Sequence, residues 1–149
     1  MRFISRASHS TRPILLATLL MASIAFPVAA NAQPAWVGKF TLPYEVHWNH
    51  AVLPAGDYTI SVDSKSSPAL IRATNGSRSI YTNVPTVATS ERGPASLLIT
   101  GSGGQHTVRS MNSPLLGVSL VFQAIPKSER EALAKTGELE SVPVMVTKK

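Results

Sequence analysis

From Trp36 onward the chain offers only short apolar runs, of about five to eight residues, before clusters of Gly, Pro, Asn and Ser interrupt them, which is the rhythm of a β-sandwich or barrel. The clearest case is VLPAGDYTISV, Val52 to Val62. A turn signal, Pro54-Ala55-Gly56, leads into Tyr58, Ile60 and Val62, which alternate with Asp57, Thr59 and Ser61. Such a strand has one apolar and one polar face. Read this way, Pro54 presets its own φ, Gly56 supplies a permissive backbone and Asp57 ties the corner. Tyr58 then points inward with Ile60 and Val62 as a plug.

The same logic extends along the chain. Trp36 to Leu42 reads as a first strand ended by Pro43, and Tyr44, Val46 and Trp48 share one face of the next. Ala69 to Thr74 runs into Asn75-Gly76, a hairpin signal because both residues tolerate the positive φ of a type I′ turn. The return strand, Arg78 to Val84, meets Pro85, which marks an edge or a bend. Ala95 to Thr100 and Gln105 to Met111 flank Gly101-Ser102-Gly103-Gly104, a second hairpin tip. This glycine cluster is not a phosphate cradle, because the Lys-Ser/Thr ending and the following helix are missing. Gly117 to Ala124 is a further strand.

Pro126 to Gly137 predicts a helix, with Ser128 as its cap, Glu129 and Glu131 in the first turn and Gly137 at its end. Ala132, Leu133 and Ala134 give it only a thin apolar face. Val142, Val144 and Val146 alternate in the tail and suggest a final strand. The expected fold is all-β: an antiparallel β-sandwich or small β-barrel of about seven to nine strands with one short C-terminal helix.

The N-terminal segment reads differently. Arg2, Arg6 and Arg12 precede an apolar run, Pro13 to Ala30, that closes on Ala30-Asn31-Ala32. This is the pattern of a secretory signal peptide over residues 1–32, which makes 33–149 a single β-rich domain, secreted or periplasmic. The most apolar part, Ile14 to Phe26, is short for a membrane span of about 20 residues, so no span is expected after cleavage. The remaining 117 residues (149 less 32) suffice for one core burying about 65% of the unfolded surface. There is no cysteine, so thiol catalysis, Cys-ligated zinc and disulfide stapling are excluded.

The signal carries three of the 14 Lys+Arg and none of the 8 Asp+Glu, which halves the net charge from +6 to +3 (11 against 8). The remaining basic residues are scattered, with no basic stripe interleaved with aromatics, and no nucleic-acid partner is expected.

In order along the chain stand FTLPYEV, LPAGDYTISV, ALIRA, SLLIT, GGQHTVRSM and IPKSEREALAK. This succession resembles an uncharacterised family of small exported β-rich bacterial proteins of acidobacterial type, marked by an LPAGxY motif and a C-terminal PKSxRE helix. The resemblance spans Phe40 to about Lys135. It implies an exported β-rich fold and carries over no catalytic residue. Two features depart from the family pattern. Gly101-Ser102-Gly103-Gly104 stands where an aromatic-Gly hairpin is usual, and Leu120-Val121-Phe122-Gln123 stands near where a Gly-Arg-Glu run often precedes the helix.

Candidate chemistry is sparse. His47, His50 and His106 are enough histidines for a zinc site with one open position. Against it, His47 and His50 are three apart and on one strand would face opposite ways; only a turn at Asn49 would bring them together. Ordinary surface histidines are the plainer reading. No G-x-S-x-G elbow is present, and Glu129, Glu131, Glu138 and Glu140 cluster in and after the helix as a solvated face rather than across a cleft. No enzyme activity and no cofactor are expected, with a hydrolase whose site goes unrecognised as the remaining alternative.

Trp36 and Trp48 are the candidates for an exposed stacking platform that would bind carbohydrate or another small ligand. Trp36, close to the mature N-terminus, is the one expected to be exposed, while Trp48 alternates with aliphatic neighbours as a core residue would. The function expected is therefore that of a non-enzymatic exported domain with an envelope or extracellular interaction or structural role. An envelope component or polysaccharide is the partner class that fits.

Overall fold

The computed structural model describes residues 36–147, and there the alternation of the sequence becomes an alternation of burial. The signal-peptide segment, 1–32, lies outside the described residues. The first four strands are β1 (Trp36–Leu42), β2 (Val46–Trp48), β3 (Ala51–Leu53) and β4 (Gly56–Val62). They are followed by β5 (Leu70–Ala73), β6 (Ser79–Tyr81), β7 (Thr86–Thr89), β8 (Ser96–Ser102) and β9 (Gln105–Ser113). After a 3-10 turn come β10 (Val118–Val121), the helix α1 (Lys127–Thr136), β11 (Leu139–Pro143) and β12 (Met145–Val146). Among the described residues the fold is all-β with one short α-helix, as the sequence predicts.

The strands form two sheets. The first has the order β12-β1-β4-β5-β6 and the second β11-β8-β9-β10-β7, with the β2–β3 hairpin attached to β9 through a parallel pairing of His47 with Thr107. Their inner faces share one core. Phe40, Leu42, Tyr58, Ile60 and Ile71 from the first sheet meet Val46, Trp48, Leu97, Ile99, Met111 and Leu120 from the second. Phe40 pairs with Tyr58 across the β1–β4 ladder, and the two rings stack at 5.7 Å between centroids.

On one side the sandwich is stitched together. β11 pairs with β8; the Val144 N–H then donates to the Ala95 carbonyl, and β12 pairs with β1. On the opposite side, β6 and β7 are the outermost strands of the two sheets, and Pro85 is buried in the crossover between them. The bend expected at Pro85 is this crossover.

Three local readings need correction. The described residues hold twelve strands, more than the seven to nine expected, because short breaks divide longer runs. Asn49-His50 makes a two-residue turn between β2 and β3, with Asn49 at φ 58°, and Val144 separates β11 from β12.

The type I′ turn is also elsewhere. At Asn75-Gly76 only Gly76 has positive φ, and its N–H bonds to the Ala73 carbonyl across a longer loop. Gly103 and Gly104 carry φ 58° and 80° between the paired Ser102 and Gln105, the geometry of a two-residue I′ hairpin.

Ser128 does not cap the helix. Pro126 occupies that position without a side-chain bond, while Gly137 closes the other end in the left-handed conformation, its N–H on the Leu133 carbonyl. No residue of α1 is fully buried; Arg130 and Leu133 are its half-buried contacts.

Candidate functional site

The sequence feature that shapes the site is an odd spacing. Val108 and Met111 lie three apart in one strand, yet both are buried in the core, at 1% and 0% exposure. A regular strand sends residues three apart to opposite faces, so one residue must be extra. The register shows it: Leu98 pairs with Ser110 and Ile99 with Val108, which leaves Arg109 as a β-bulge. The Arg109 carbonyl accepts the N–H groups of both Phe122 and Gln123, at 2.9 and 3.0 Å, so this carbonyl is satisfied despite the missing ladder partner. The bulge turns Arg109 and Ser110 toward the same groove on the outer face of the second sheet.

That groove has a volume of about 230 Å3. Leu98, Ser110, Ser119 and Val121 contribute its floor, and Ile125 and Arg130 close over it from the segment that ends in α1. An adjoining lobe of about 310 Å3 extends toward Ser96, Asn112 and Ser141. Arg130 and Glu91 line both lobes and are joined by an ion pair of 2.6 Å, so their side chains strap the helix to the β7–β8 loop.

Asn112 holds that loop in place. Its Oδ1 accepts from Ser90 Oγ at 2.9 Å and from the Glu91 N–H at 3.0 Å, and its Nδ2 donates to the Glu91 carbonyl at 3.0 Å.

The charges in the groove are not balanced. Glu91 is matched by Arg130, and this is the one ion pair among the described residues. Arg109 is half-buried and spends its Nε on Oγ1 of Thr100 at 2.8 Å, a residue only 3% exposed. This bond orients the guanidinium plane and leaves Nη1 and Nη2 without a partner among the described residues. The chemistry that Arg109 offers here is electrostatic and hydrogen-bonding. Ser119 Oγ donates to the Met111 carbonyl at 3.4 Å, and no histidine lines the groove.

The residues singled out from sequence lie elsewhere. Trp36 is 4% exposed and Trp48 1% exposed, so the expected exposure of Trp36 is overturned and neither ring can stack on a sugar in solvent. Trp48 packs edge-on to Phe122 at 5.1 Å. Trp36 lies over Gly38, where a Cβ would come within 2.6 Å of its Cη2 and of Val144 Cγ1. The glycine is what admits the ring into the core.

The three histidines do not converge either, and among the described residues no group of three His, Asp or Glu side chains could hold a metal ion. His47 bonds the Gln105 side chain at 3.0 Å, His50 sits exposed in its turn, and the His106 ring stacks on Tyr44 at 3.7 Å. The turn at Asn49 forms, but His47 is already committed to β9.

Tyr44, His106 and Glu140 make a second polar cluster, beside the β8–β9 hairpin. The Tyr44 hydroxyl donates to Glu140 Oε2. Burial, with the hydrogen bond and the charge of Glu140 behind it, pushes the Tyr44 phenol well above its ordinary value of 10.0. A tyrosine held this firmly in its neutral form is a poor base or nucleophile, and the cluster is better suited to closing off the end of the core.

No family model, no curated protein and no solved structure matches this chain. The reading of the site therefore rests on its geometry.

Proposed function

We propose that this protein is an exported, non-enzymatic binding domain that works through the groove between the second sheet and α1. The observation that carries the reading is the Arg109 bulge. Bulges recur next to functional sites because they re-aim a side chain, and this one turns a cation with no carboxylate partner among the described residues into a concavity that Arg130 of the helix also lines. The rest of the groove is built for retention rather than reaction. Its lining carboxylate, Glu91, is held by Arg130, and that strap is a surface ion pair weak enough to open and close. Export follows from the signal-peptide pattern of residues 1–32 and suits a fold stabilised without disulfides by one packed core.

A small-fragment screen followed by amide NMR tests the reading. Bound fragments are expected to shift amides of β9, β10 and the start of α1 and to be recovered chemically unchanged. Shifts confined to the β6–β7 edge, or steady turnover of a fragment, would refute it. Export is tested by sequencing the N-terminus of the protein recovered from the periplasm or medium, where Gln33 is expected first.

A further inference from the structure

We infer that the groove is a carboxylate site, which takes a small organic acid by its charged end against Arg109 and its apolar body against Leu98, Val121 and Ile125. The inference rests on the groove being the binding site, as proposed above, and adds the chemical class of the ligand. A guanidinium with its Nε committed to Thr100 and both Nη groups open is a fork fixed in one plane, which matches the two oxygens of a carboxylate. Half-burial in a partly apolar groove raises the worth of that pairing relative to one in open water.

Among the described residues no competing anion pairs with the fork. Glu91 is taken by Arg130, and no other acidic residue lines the groove. The apolar lining argues for a carbon skeleton behind the charge, because a bare oxyanion would leave Leu98, Val121 and Ile125 uncovered. Ser110, beside Arg109 on the bulge, supplies a hydroxyl that can turn to accept or donate as the ligand requires.

The test titrates the purified protein with hexanoate and benzoate, with the matched neutral hexanamide and benzamide, and with inorganic phosphate, by calorimetry and amide NMR. Both acids are expected to bind about tenfold or more tightly than their amides and than phosphate, less so as salt rises. Arg109→Gln is expected to abolish that preference, and Arg109→Lys, which keeps the charge but not the fork, to retain only part of it. The melting point and NMR spectrum of each ligand-free variant establish that it is folded.

Failure of both acids to bind at about 10 mM would overturn the inference, as would equal affinity in folded Arg109→Gln. Phosphate matching the acids would overturn the organic-acid assignment. Leu98→Trp, which fills the floor, separates the two levels of the proposal. Acid and amide binding equally, with both lost in Leu98→Trp, would sink the carboxylate assignment and leave the groove standing. Binding that survives Leu98→Trp unchanged would remove both.

Discussion

Replacing Tyr58 tests whether the corner at Pro54–Gly56 is held from inside. The ring is 3% exposed, stacks on Phe40 and sends its hydroxyl back to the Pro54 carbonyl at 2.8 Å. Tyr58→Ala removes the buried ring and leaves a cavity between β1 and β4, for which aromatic deletions cost about 3–5 kcal/mol. Against a typical domain stability of about 5–15 kcal/mol, that is a large fraction. Tyr58→Phe keeps the ring and deletes only the hydrogen bond, at about 0.5–1.5 kcal/mol. The lower end is expected because Pro54 is exposed and its carbonyl can take a water instead.

Urea unfolding of the three proteins gives the comparison. The midpoint should fall strongly for Ala and slightly for Phe, with the slope unchanged. In a thermal scan the Ala variant should melt roughly 10–20 °C lower. A loss under about 1 kcal/mol for Ala, or equal losses for Ala and Phe, would refute the plug, since stability would then reside in the hydroxyl or nowhere at the site.

Four further outcomes follow from the same contacts. Gly38→Ala should destabilise by about 1–3 kcal/mol in the same unfolding assay, because its Cβ would press on Trp36 and Val144. Gly104→Ala should cost about 1–2 kcal/mol, since φ 80° in a two-residue turn suits glycine, while Ser102→Ala beside it should change little. Arg130→Ala should cost under about 1 kcal/mol overall yet speed hydrogen exchange in α1, which has no fully buried side chain to hold it.

Stability should also fall as pH rises past 10.0. There the unfolded chain releases the Tyr44 proton that the folded chain retains, so the contribution is full below that pH and lost as pH climbs toward the raised folded value. Tyr58, raised by burial and only partly offset by Arg78, acts in the same direction. Glu140→Gln should bring the Tyr44 titration, followed by ultraviolet absorbance, back toward the ordinary value.

Much of the fold could be read from residues alone because its determinants are local. Trp36–Leu42 and Gly56–Val62 declare themselves by strict alternation, and Gly137 ends its helix where a left-handed residue is needed. What could not be read depends on partners distant in sequence. Trp36 looks terminal and exposable, but Val144, over a hundred positions along the chain, covers it beside Gly38.

The site was hidden for a related reason. Arg109 resembles any solvated strand arginine until the β8 register is known, and only the odd interval between Val108 and Met111 hints at the bulge. His47, His50 and His106 mislead in the opposite way, being conspicuous in the sequence and dispersed by the topology.

The seam made by β11 and β12 has a consequence for the order of events in folding. Gly38 in β1 pairs with Val146 in β12, so the outer ladder of the first strand is completed by residues that emerge from a ribosome more than a hundred positions later. Until then β1 exposes an unsatisfied backbone edge and Trp36 lacks its cover. Closure at such sequence separation is slow, and an unpaired edge is open to the wrong partner in the interval. A chain delivered N-terminus first thus carries its least protected strand at the front and the remedy at the back, and it should benefit from a holding chaperone until the last turn has passed.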